Sequence, residues 1–202
     1  MNSANNHLII IPGLGNTVAQ LVWATAGWQK YGIVPHVFDA KWRVEENGFS
    51  EKLARATSFV DSLVGKNNTI SLLGNSAGSS FVLNLFGKRK KQIHRVIINC
   101  GRVRGGDSPW FTFDQATASS PSFRESVIRA QELEKILTTE DRKKIMTLRP
   151  LFDEVVPSST VPIRGAKNIV TFSVEHTISI ALTMTLFQGY IIDFIRNKDV
   201  IF

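Results

Sequence analysis

A chain of 202 residues with 43 % hydrophobic and 20 % charged side chains is long enough to bury one sizeable core and too apolar to remain globally disordered. Its net charge of +7 favours acidic surfaces, yet the cations are scattered. The one dense run, Lys88 to Lys91 with Arg95 nearby, reads as a solvated helix end because no aromatics interleave it, so no nucleic-acid partner is expected. A single cysteine, Cys100, excludes a disulfide framework within the chain, and the amino-terminal segment lacks the positive region and long apolar stretch of a signal peptide; a cytoplasmic location is the expectation.

Taken in chain order, strand-length hydrophobic runs alternate with helix-length amphipathic stretches. The first strand is expected over His7–Ile11, followed by a helix at about Thr17–Tyr31. Val34–Phe38 reads as the second strand, and Ser50 as the N-cap of a helix through Val64. Thr69–Leu73 is the third strand, Ala77 to about Phe86 a helix, and Arg95–Asn99 the fourth strand. The stretch from Cys100 to about Lys135 is irregular and aromatic-rich, with a helix from Ser122; residues 101–137 could form a small lid. Thr139-Glu140 opens a short helix, Ile145–Leu148 and Ile169–Val174 are the last strands, and Ile178–Ile195 is the closing helix. That last segment approaches membrane-spanning length, but Asp193 makes a buried helix on a sheet the better reading, so no membrane span is expected. Strict alternation implies parallel strands joined by right-handed crossovers, in one three-layer α/β/α domain over 1–202.

Gly74-Asn75-Ser76-Ala77-Gly78 fits G-x-S-x-G and stands between a strand and a helix, the context in which that motif is a nucleophile elbow. The turn thrusts the serine into a cleft at the carboxyl rim of the sheet, and the helix N-terminus favours developing negative charge there. A serine hydroxyl needs a base. Of four histidines, His7, His36 and His94 lie in or beside strands and suit structural roles. His176 follows the sixth strand and so reaches the same rim as Ser76. An acid should orient it. Asp153, just past the fifth strand, is preferred to its neighbour Glu154 for its shorter reach. The oxyanion donors would be the N–H groups of Ala77 and of Leu14, in a loop that Gly13 and Gly15 allow to bend close. Asn75, Gly13, Trp110, Phe111 and Phe113 are candidate substrate contacts.

The order Ser76, Asp153, His176, with LIIIPGLGNT, ISLLGNSAGSS, the D-x-x-V-P form of DEVVP and the histidine of VEHTIS, resembles the α/β-hydrolase superfamily in its small lipase/esterase-like form. The D-x-x-V-P pattern also favours Asp153. Two departures stand out. Pro12-Gly13 replaces a common His-Gly, and the two strands that usually precede residues 7–11 are missing. The resemblance implies a minimal six-stranded sheet of order 2-1-3-4-5-6 without a large cap. It implies a cofactor-independent serine hydrolase of carboxylic esters, with a small-molecule acyl ester as partner and no metal. Thioester or peptide cleavage by the same residues, or a non-catalytic binding role, are the alternatives.

Overall fold

The computed structural model describes residues 5–15, 17–43, 48–65 and 67–196. Six strands form one sheet: β1 (Asn5–Ile11), β2 (Ile33–Val37), β3 (Asn68–Asn75), β4 (Ile93–Asn99), β5 (Ile145–Phe152) and β6 (Lys167–Val174). Their spatial order is β2-β1-β3-β4-β5-β6, and every adjacent pair is parallel. This is the order the sequence implies. All strands therefore end on one rim, where the loops after Ile11, Asn75, Phe152 and Val174 open.

The helices are α1 (Val18–Thr25), α2 (Phe49–Leu63), α3 (Gly78–Lys88), α4 (Phe113–Thr117), α5 (Pro121–Lys135), α6 (Thr139–Lys143), α7 (His176–Met184) and α8 (Gln188–Arg196). Alternation along the strands divides the core. Ile9, Ile11, Leu72, Val96 and Ile98 pack with α2, α3 and α5, whereas Leu8, Ile10, Leu73, Ile97 and Leu148 pack with α1, α7 and α8.

Four local expectations differ from the structure. The first helix is α only to Thr25, whose hydroxyl donates back to the Leu21 carbonyl; a 3-10 turn over Ala26–Tyr31 completes it. Gly48, not Ser50, is the N-cap of α2. The closing helix is two helices bent by 51°. Back-bonding explains the break: the Thr183 and Thr185 hydroxyls donate to the Ile180 and Ala181 carbonyls, which weakens the helical ladder there. Among the described residues no single helix is long and apolar enough to cross a membrane. Finally, most of the stretch proposed as a lid is built into a layer. Helix α5 buries Phe123, Ser126, Val127 and Ala130, and the Ser126 hydroxyl lies 2.6 Å from that of Ser80 on α3. What remains at the surface is the loop before α4.

Candidate active site

Ser76 follows β3 with φ 50, a conformation that L residues adopt only where neighbours impose it. Its N–H donates to the Asn99 carbonyl at 2.9 Å, and its carbonyl accepts from Ser79 N–H at 2.9 Å. The flanking glycines are fixed by close approach. A Cβ on Gly74 would sit 2.2 Å from the Gly78 carbonyl oxygen, and one on Gly78 would sit 2.1 Å from that of Ile11. Gly101, which the motif does not reveal, is equally constrained: a Cβ there would meet the Ser76 carbonyl oxygen at 2.0 Å.

The rim brings three distant side chains together. His176 Nε2 lies 2.9 Å from Ser76 Oγ, and His176 Nδ1 lies 2.8 Å from Asp153 Oδ2. A carboxylate only accepts, so Nδ1 carries the proton and Nε2 is left to accept from the serine hydroxyl. Asp153 Oδ1 accepts from Val155 N–H at 2.9 Å and Val156 N–H at 2.7 Å, which fixes the carboxylate plane. Glu154, the rival acid, does not reach the imidazole. It accepts instead from the His176 main-chain N–H, at 3.1 Å for its nearer oxygen, and so holds the backbone of the same residue.

Several supporting residues carried no recognisable sequence signal. Glu175 has φ 76 and caps α7, its carboxylate accepting from the Ile178 and Thr177 N–H groups; those bonds hold its carboxyl below the usual range. Arg102 is buried, donating to the carbonyls of Val155 and Gly106, and thereby pins the turn that bears Asp153. Burial lowers its pKa, against the opposing pull of the Asp153 charge.

Trp42 is the most connected of these. Its indole N–H donates to the Pro12 carbonyl at 2.9 Å, its ring meets Phe81 of α3 and Phe123 of α5 edge-on, and its own carbonyl accepts from the Ser120 hydroxyl at 3.0 Å. Trp42 thus ties the Pro12-Gly13-Leu14 loop to the helix that begins at the serine turn. Leu14 packs its side chain partly against the adjacent core, and Ala77 is buried at the start of α3. The contact of Gly78 with the end of β1 sets the loop bearing Leu14 beside the turn bearing Ala77.

The expected substrate contacts divide. Gly13 and Leu14 line a cleft of about 350 Å³ whose other walls include the charged side chains of Asp39, Lys41 and Arg43. Trp110 and Phe111 are half exposed, and Trp110 meets Phe152, the residue before Asp153, edge-on. Phe113 instead packs against the core, with the guanidinium groups of Arg102 and Arg124 each over its ring. Asn75 requires correction as a cleft residue: it has no exposed surface, and its Oδ1 accepts from Asn99 Nδ2, which also reaches the Thr183 hydroxyl. Asn75 thus joins β3 to β4, and Asn99 carries the link on to α7 inside the protein. The remaining histidines sit away from this set. His7 and His36 stack with nitrogens 2.9 Å apart, and His94 Nε2 lies 3.2 Å from the Ile195 carbonyl oxygen. Burial and the Asp153 charge push the Cys100 thiol up, so it is no rival nucleophile. Among the described residues no group of three or more His, Cys, Asp or Glu could hold a metal ion.

Known structures share this architecture. Est1E from Butyrivibrio proteoclasticus superposes with a TM-score of 0.65 at 15 % identity, over 96 % of this chain and 90 % of that one. A monoacylglycerol lipase from Paleococcus ferrophilus gives 0.69 at 13 %, over 94 % and 93 %. The chain has the α/β-hydrolase fold. An enol-lactonase from Burkholderia xenovorans gives 0.65 at 12 % identity, over 96 % and 92 %. No protein-family model matches the sequence, and no curated protein matches it. As an α/β-hydrolase fold of 202 residues it is small, with a six-stranded sheet among the described residues.

Proposed function

We propose that this α/β-hydrolase-fold protein is a serine hydrolase of carboxylic esters, with Ser76, His176 and Asp153 as its catalytic triad. One observation carries the reading: an unbroken line of hydrogen-bonding contacts from Asp153 through His176 to a serine held at positive φ. A buried imidazole aligned on both nitrogens serves proton transfer, whereas a structural histidine needs only one partner.

Ser76 Oγ attacks the ester carbonyl carbon while His176 Nε2 takes its proton. The Leu14 and Ala77 N–H groups receive the negative charge that forms on the carbonyl oxygen, a stabilisation of about 3–4 kcal/mol per donor in comparable sites. Collapse of the tetrahedral adduct breaks the bond to the alcohol oxygen, which leaves with the proton from Nε2. Water, deprotonated by the same nitrogen, then releases the acid and restores the serine. Asp153 keeps Nδ1 protonated and balances the imidazolium. The names of two fold neighbours, a monoacylglycerol lipase and an enol-lactonase, support acyl transfer at this rim.

Ser76→Ala is expected to lower p-nitrophenyl acetate turnover by about 10⁴-fold or more and to abolish fluorophosphonate labelling, with the thermal melt unchanged. Turnover at the unsubstituted rate would reject the assignment.

A further inference from the structure

Helices α1 and α7 run side by side away from the carboxyl rim, with an open groove of about 480 Å³ between them. That volume lies in the usual range of small-molecule sites, roughly 300–1,000 Å³. Its walls are Ala19, Trp23 and Ala24 on α1 and Ile180, Ala181 and Met184 on α7. No charged side chain lines it, in contrast to the cleft beside Leu14 with its Asp39, Lys41 and Arg43. Two of its few polar side chains are already engaged: Gln20 accepts from Thr17 N–H, and the Thr185 hydroxyl donates to the Ala181 carbonyl. Such a groove offers an occupant dispersion and the removal of apolar surface from water, and little hydrogen bonding.

Both walls begin at the catalytic rim. His176 is the first residue of α7, and Ile180, one helical turn below it, lies on the same stripe. On the other wall, α1 starts four residues after Leu14. The rim-side end of the groove is thus lined by Thr177, the residue after His176, and by Ala19 in the first turn of α1, which places it next to the Ser76–His176 pair. Resting on the serine hydrolase reading, we infer that the α1–α7 groove binds the acyl chain and that the substrates are esters of medium-chain fatty acids. The eight residues of α1 give a wall about 12 Å long, which spans roughly eight to ten carbons at ordinary carbon–carbon bond lengths.

The test compares kcat/KM for p-nitrophenyl acetate, butyrate and octanoate. Each added methylene should raise it about fourfold, the gain from burying one CH₂. Ala181 is exposed, so Ala181→Phe can fill the groove without entering the core; it should lower the octanoate-to-acetate ratio at least tenfold. Trp23→Ser, which removes a rim side chain that is 78 % exposed, should lower the same ratio about threefold and provides a second readout if the first variant folds poorly. Octanoate binding to Ser76→Ala, measured by calorimetry and lost when Ala181→Phe is added, reads the groove without turnover. A flat chain-length profile, or octanoate binding that survives Ala181→Phe, overturns the inference. So does a dimer that Ala181→Phe splits while the substrate ratio stays constant, since a second copy would then occupy the groove. Absence of both labelling and turnover of every ester would instead refute the hydrolase reading, while octanoate binding would still decide the groove.

Discussion

On one face of the sheet, α2, α3 and α5 are locked by aromatic rings that meet edge to face: Phe81 against Phe49, and Trp42 against both Phe81 and Phe123. On the other face, α1, α7 and α8 are short, interrupted by a 3-10 turn and a 51° bend, and leave Val22, Trp23, Ile178 and Leu186 half exposed or more. The two faces hold different parts of the candidate site. The dense face carries α3, which follows the turn at Ser76, where a strained backbone needs rigid neighbours. The open face carries His176 on a helix that leaves Ile178 and Ala181 exposed.

Three measurements would break or sharpen this contrast. The largest effect is expected in the dense layer: Phe81→Ala should destabilise the fold by about 3–5 kcal/mol in urea titration, while Trp23→Ser on the open face should stay within about 0.5 kcal/mol. Equal losses would show that the two layers bear load alike. Next, Trp42→Phe keeps a packing ring but removes the hydrogen bond to Pro12. Loss of that bond, worth about 1–1.5 kcal/mol of stability, should lower the melting temperature by a few degrees, and the displaced loop should lower kcat by about tenfold with little change in KM. A lowered melting temperature with unaltered kcat would reduce Trp42 to a packing residue. The smallest effect concerns pH. Burial and the neighbouring His7 lower the His36 pKa below 6.5, and His36 packs on Phe59 of α2 at the margin of the dense layer. The unfolded chain then binds the proton more readily, so His36 contributes stability that is complete above pH 6.5 and is lost as pH falls below it. His36→Gln should flatten that part of the stability curve; an unchanged slope would mean that His36 does not account for it.

Much of this was legible in the residues. Strand and helix positions followed from hydrophobic period, and parallel connection sent Ser76, Asp153 and His176 to one rim because every strand points the same way. The misread extents of the first and last helices share a cause: at Thr25, Thr183 and Thr185 a hydroxyl competes for a helical carbonyl, an interaction that hydropathy does not register. Asn75 was misjudged because a position beside the nucleophile says nothing about which side of the strand faces solvent.

By itself, then, the sequence determined what local geometry and chain direction can dictate: the layer pattern, the glycine-flanked serine turn, and the rim on which a histidine and an acid would meet it. Only the tertiary structure shows that Asp153 meets the His176 imidazole while Glu154, one residue on, accepts from its main-chain N–H. It alone also revealed Trp42 beneath the Pro12 loop, Gly101 against the Ser76 carbonyl, and the open groove beside α7. Each of these depends on contacts between elements far apart in the chain, and close packing in three dimensions leaves no periodic trace in one.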